Sequence, residues 1–230
     1  MTKWAGGMTR RAFCQHGVLA GVAGAAGGGL LTGVAPAAEW MPPAETPKEG
    51  LQRLRDGQAR FVAGTSIAPN RDLKQLHEVA PKQEPFASVL ACADSRVPIE
   101  VLYDQGFGDI FVVRVAGNVA TAVEIASLEY SVAVLGVEVI KVVGHSNCGA
   151  VAAALAGDKV PGQISTLYQH IVSALERGKM NLDQAIVANV RHQVRILREA
   201  SPLLAKAIAS GALIIEGGVF DFQTGAVKSV

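Results

Sequence analysis

Apolar residues in this chain fall into short continuous runs separated by stretches of helical period. Four runs have strand length and β-prone composition: "FASVLACA" (86–93), "DIFVVRVA" (109–116), "VEVIKVVG" (137–144) and "ALIIEGGVFD" (212–221). Between them, "TAVEIASLEYSVAVLG" (121–136) has helical spacing, with Val123, Ile125, Ala126, Leu128, Tyr130 and Val134 available for a buried face. "GAVAAALAG" (149–157) reads as a helix closed by Gly157, and 162–178 and 182–201 read as two more. Upstream, "EGLQRLRDGQARFVAG" (49–64) sets Leu51, Leu54, Gln58, Phe61 and Val62 at helical spacing, and 65–85 reads as loop with one short helix. "GAVKSV" at the end adds an edge strand. Near-continuous apolar strands alternating with helices predict an α/β fold. Its mainly parallel central sheet has about four parallel strands plus an edge strand, flanked by helices, with an N-terminal helical arm.

The first forty residues break this pattern. After Lys3, Arg10 and Arg11 no charged side chain occurs until Glu39, and the apolar stretch between closes on "APA" at 35–37. Basic start, apolar centre and small-residue end are the layout of an export signal, and "TRRAF" resembles the twin-arginine type. Seven glycines between Gly17 and Gly33 make a poor membrane helix, which disfavours an uncleaved anchor. The expected organisation is a cleaved signal over 1–37, an extended proline-rich lead-in over 38–48 and one domain over 49–230. The expected destination is the periplasm or another exported location, with no stable membrane insertion after cleavage. The mature part carries 18 basic and 20 acidic residues, with no basic run, so a nucleic-acid partner is not expected. Cys14 leaves with the signal. In an exported domain, the remaining Cys92 and Cys148 first suggest a disulfide.

A second possibility comes from position. In open parallel sheets, ligands bind beyond the carboxyl ends of the strands. That brings together "CADSR" after the first strand and "GHSNC" after the third. Cys92, His145 and Cys148 form a donor set suited to tetrahedral zinc with one open position. Gly144 and Gly149 would allow a tight backbone there, and a helix start at Cys148 would favour its thiolate. Asp94 and Arg96 are either a plain ion pair at a strand end or a switchable group beside the metal. At this point the disulfide and zinc readings both stand.

"CADSRVP" and "GHSNCGAV" together resemble the paired motifs of the β-class carbonic anhydrases. The similarity continues through "GDIFVVRVAGN", "SLEYSVAVLGV" and "GGVFDFQTGAV", spanning residues 49–227. The resemblance implies one Zn2+ per chain on Cys92, His145 and Cys148, with water or hydroxide in the fourth position. It implies an Asp94–Arg96 catalytic dyad and reversible hydration of CO2 to bicarbonate by zinc-bound hydroxide. It also assigns Gln83, Phe111, Ala116, Tyr130 and the Gly149 N–H to the substrate site. The family is built on dimers, so a homodimer or higher homo-oligomer is expected, with the site at the dimer interface. Val89 stands where bicarbonate-regulated members carry tryptophan, so that regulation is not expected, although Arg114 matches an arginine of the regulatory site. Two thiolates cancel the formal charge of the metal, so activity is expected to rise from neutral to alkaline pH. His77, His170 and His192 are candidate proton carriers because they titrate near neutrality. The alternatives are a carbon disulfide or carbonyl sulfide hydrolase on the same fold, and a non-catalytic zinc-binding protein.

Overall fold

A computed structural model of the protein describes residues 46–176 and 178–230. The expected signal, Cys14 and most of the lead-in lie outside the described residues. Five strands form one sheet: β1 (Ala87–Ala91), β2 (Ile110–Arg114), β3 (Val139–His145), β4 (Ile214–Phe220) and β5 (Val227–Ser229). Their order is β2-β1-β3-β4-β5. The first four are mutually parallel, as the alternating pattern predicts, and β5 adds an edge strand that runs antiparallel to β4.

The helices are α1 (Pro47–Val62), α2 (Leu73–Val79), α3 (Ile99–Leu102), α4 (Ala122–Ala133), α5 (Gly149–Ala156), α6 (Ile164–Val172), α7 (Leu182–Glu199) and α8 (Pro202–Ala209). Local chemistry sets their ends. Thr46 and Glu49 form a capping box at α1, and Asn181 and Gln184 form one at α7. Gly157 closes α5 in the left-handed conformation. The one-turn α3 and the whole of α8 have no counterpart in the sequence reading. The single turn of α3 is too short to show a full apolar period.

Alternation along the strands divides the core. Val89, Val139 and Val143 point to one face with Leu51 and Leu54 of α1. Leu90, Ile140 and Val142 point to the other, against Leu128 of α4, Val190 and Leu197 of α7 and Leu204 of α8. Lys141 interrupts β3 but is only 7 % exposed. Its ammonium lies 3.0 Å from Glu216, its register partner on β4, so the buried charge is paired. Among the described residues, no helix is long and apolar enough to cross a membrane.

α4 differs from its predicted packing. Leu128, Ser131 and Val132 face the core, while Val123, Tyr130 and Val134 are 73, 46 and 43 % exposed. The helix is apolar around most of its circumference, so periodicity alone does not select the stripe its own sheet covers. It borders β2, the sheet edge, where four successive apolar residues are only half-buried.

Candidate metal centre

Cys92 directly follows β1, His145 ends β3, and Cys148 is the N-cap of α5. Because β1 and β3 are adjacent and parallel, both strand ends open at the same rim. The turn between His145 and Cys148 is made by Asn147, whose backbone is left-handed at φ +56°. Gly144 has a different task from the expected one. A Cβ there would lie 2.5 Å from Val190 Cγ2, so its smallness admits α7 against the end of β3.

One ligand atom from each of Cys92, His145 and Cys148 lies within 4.8 Å of the others, and all three residues are buried. Both cysteines are free. His145 Nδ1 lies 2.9 Å from the carbonyl of Ser146, which fixes the proton on Nδ1 and leaves the Nε2 lone pair for a ligand. Nε2 is buried and has no hydrogen-bond partner. Leaving a buried nitrogen unsatisfied costs about 1–3 kcal/mol. A soft, borderline metal answers that deficit, and two sulfurs with one imidazole match zinc. The Cys148 thiol beside Cys92 holds the Cys92 pKa well below the ordinary thiol value, against the upward push of burial. The site thus favours the thiolate form that a metal ligand needs.

Asp94 stands beside this cluster, with Oδ2 3.8 Å from His145 Nε2. Arg96 grips it bidentately: Nε donates to Oδ1 at 2.9 Å and Nη2 to Oδ2 at 2.8 Å, and the Arg96 N–H adds a third bond to Oδ1. These bonds hold the Asp94 carboxyl far below the usual carboxylate range. The turn carrying Cys92 and Asp94 is itself anchored. Arg114 donates from Nε to the Cys92 carbonyl at 3.1 Å and from Nη2 to the Asp94 carbonyl at 2.6 Å.

Phe222 belongs to the site although the sequence did not single it out. Its ring centre lies 5.2 Å from that of His145, and the Arg96 guanidinium sits 4.5 Å above it. Its N–H donates to Ser146 Oγ, pinning the β4–β5 turn to the turn after His145. "GGVFDFQTGAV" contained the residue, but only the fold brings that turn onto the metal-ligand turn.

The predicted substrate residues divide. Ala116 adjoins Gly117, whose N–H lies 3.3 Å from Cys92 Sγ. Gly149 opens α5 next to Cys148, exposed, with nothing within 4 Å of where a Cβ would sit. Gln83, Phe111 and Tyr130 lie elsewhere in the protomer. Gln83 is exposed ahead of β1, at the opposite end of that strand from Cys92. Phe111 pairs with Ser88 from the edge strand β2, and its ring packs 6.2 Å from that of Tyr130 on α4. Of the candidate proton carriers, His192 bonds Ser173 and Arg195, while His77 lies on α2.

Comparison with known proteins gives a consistent picture. The sequence model of the carbonic anhydrase family matches residues 87–227. A carbonic anhydrase of Mycolicibacterium smegmatis is 34 % identical over 194 residues, covering 81 % of this chain and 94 % of the relative. Carbonic anhydrase 2 of Mycobacterium tuberculosis is 36 % identical over 191 residues, covering 80 and 92 %. Among solved structures, the Coccomyxa β-carbonic anhydrase in complex with acetazolamide superposes with a TM-score of 0.62 at 29 % identity, covering 78 % of this chain and 84 % of that one. A tetrameric β-carbonic anhydrase of Sordaria macrospora gives 0.61 at 26 % identity, covering 76 and 92 %.

Proposed function

Since this chain belongs to the β-class carbonic anhydrase family, and is thus a zinc enzyme for the reversible hydration of CO2 to bicarbonate, we propose that Asp94 and Arg96 are its catalytic dyad beside a Cys92–His145–Cys148 zinc site. The observation that carries this reading is the three converging ligand atoms with an ionised carboxylate 3.8 Å from the free imidazole nitrogen. When bound, Zn2+ supplies Lewis acidity, easing loss of a proton from water near neutral pH.

The protein's own groups do the rest. Arg96 keeps Asp94 ionised and takes up both its oxygens, so the carboxylate serves as a hydrogen-bond acceptor for the attacking water rather than as a metal ligand. The Gly149 N–H, at the first turn of α5 where a Cβ would meet nothing within 4 Å, can donate to the product anion. Phe222 shields one side of His145 and keeps the Arg96 guanidinium flat against its face.

The apolar wall of the substrate pocket is supplied in this reading by a second copy of the chain. Support comes from the position of Gln83, Phe111 and Tyr130 away from the rim of their own sheet. It also comes from the exposed apolar face of α4 beside the half-buried edge strand β2. The active form is then a homodimer or an assembly of dimers. Residues 1–37 serve as a cleaved twin-arginine-type signal ahead of an extended lead-in and the catalytic domain, so the enzyme acts in the periplasm or another exported location. Arg10, Arg11, the glycine-rich apolar stretch and "APA" support that reading.

The test is stopped-flow CO2 hydration by residues 38–230, with zinc content measured on the same sample. Fast hydration at one zinc per chain is expected, and Asp94→Asn should lower it by about 10²–10⁴-fold while zinc is retained. Full zinc occupancy without hydration would remove the dyad assignment.

A further inference from the structure

The sulfur of Cys92 accepts a hydrogen bond from the Gly117 N–H at 3.3 Å. Gly117 lies in the short strap Ala116–Asn118 that follows β2. Both Gly117 and Asn118 have left-handed backbones, at φ +77° and +47°. Two such residues in succession persist only where their surroundings hold them. Crowding contributes, since a Cβ on Gly117 would lie 2.8 Å from Ile171 Cδ1. The principal hold is polar and comes from α7.

Asn189 Nδ2 donates to the Gly117 carbonyl at 2.9 Å. Gln193, one turn further along α7, donates from Nε2 to Asn189 Oδ1 at 2.9 Å and to the His170 carbonyl at 3.1 Å. Its Oε1 accepts from the Ala120 N–H at 2.9 Å. Both amide side chains are 0 % exposed. Two primary amides on the buried face of a helix are costly unless bonded, and each of these is bonded at both ends of its amide. The two peptide units that meet at Gly117 pivot about a Cα with no side chain to restrain them. Pinning the carbonyl of one therefore removes part of the freedom by which the N–H of the other could swing off the sulfur.

We propose that Asn189, backed by Gln193, is a positioning residue of the metal centre, locking the Gly117 peptide so that its N–H stays on Cys92 Sγ and limits the charge this thiolate gives to zinc. The inference rests on the reading of Cys92 as a zinc ligand. Its physical content is that a donor on a ligating sulfur withdraws electron density from the metal–sulfur bond. With two thiolates already neutralising the ion, that withdrawal preserves Lewis acidity.

Cobalt substitution of the intact protein tests this. In wild type, sulfur-to-cobalt charge-transfer absorption is expected, and its absence would remove the ligand reading itself. In Asn189→Leu the band should move to lower energy as the sulfur regains electron density, and zinc affinity, measured by chelator competition, should fall about 10–100-fold because the strap no longer holds Cys92 in place. Leu197→Ala, on the same buried helix face but remote from the strap, should lose thermal stability and leave the band in place. A wild-type band position and zinc affinity within about twofold of wild type in Asn189→Leu would overturn the relay, as would an equal shift in Leu197→Ala. Should Asn189→Leu fail to fold, Gln193→Met removes the backing amide at nearly constant volume and is judged by the same two measurements.

Discussion

His145 shows at the level of a single residue how the site is stabilised by what it binds. Its Nε2 is buried without a hydrogen-bond partner among the described residues, and Cys148 beside Cys92 pulls that thiol's pKa down, so the metal-free site keeps an unmet demand for a cation. Removing zinc with a chelator should lower the thermal midpoint, and restoring Zn2+ but not Mg2+ should recover it. A thiol titration of the denatured, metal-free mature domain should count two free thiols, Cys92 and Cys148. A count of zero would restore the disulfide reading, which the free cysteines of this structure already disfavour. Gly144 is constrained by packing alone. Gly144→Ala would drive a methyl group to 2.5 Å from Val190 Cγ2, costing about 1–3 kcal/mol in denaturant unfolding.

Among the elements, α1 is fastened by charge as well as by Leu51 and Leu54. Arg60 donates from Nε to Asp104 Oδ2 at 2.7 Å, and the N–H groups of Ile67 and Ala68 also reach the Asp104 carboxylate. Burial pushes that carboxyl up, but Arg60 and the two N–H groups outweigh it, so the folded pKa lies below the ordinary value. The sign follows from linkage. A depressed carboxylate contributes stability that is present above the unfolded pKa, near 4, and is lost as pH falls through the folded pKa. Asp104→Asn should therefore destabilise the protein by about 1–3 kcal/mol at neutral pH and flatten the acid limb of its stability curve. An unchanged acid limb would show that the Arg60 contact is incidental.

At the scale of the whole molecule, the rim of the sheet holds the metal ligands, while Gln83, Phe111 and Tyr130 stand apart from it. The proposed second copy would reconcile the two. Val123→Glu, on the most exposed apolar position of α4, should shift the mature protein to a smaller species in light scattering and lower CO2 hydration with it. A monodisperse, fully active monomer would instead assign those three residues a purely structural place. Export is checked at the same scale: replacing Arg10 and Arg11 with lysine should retain the full-length chain in the cytoplasm, with its N-terminus uncut.

The four parallel strands, the antiparallel edge strand and the long helices were legible because burial imposes its period directly on the sequence. The ligand trio was legible because donor chemistry at two strand ends is a local property, and parallel topology makes those ends meet. α3 was not legible, being too short for a period to declare itself, and α8 was not read from the sequence either. Which stripe of α4 faces inward was equally hidden, because Val123, Val134 and Leu128 are alike in hydropathy and differ only in what lies opposite. Phe222, Arg114, Asn189 and Gln193 complete the surroundings of the metal site from other strands, a turn and α7. Sequence thus determined the elements and the chemistry each carries. Tertiary structure alone decided which backbone carbonyl Asn189 reaches, what Gly144 makes room for and which ring covers His145, because these are distances between segments far apart in the chain.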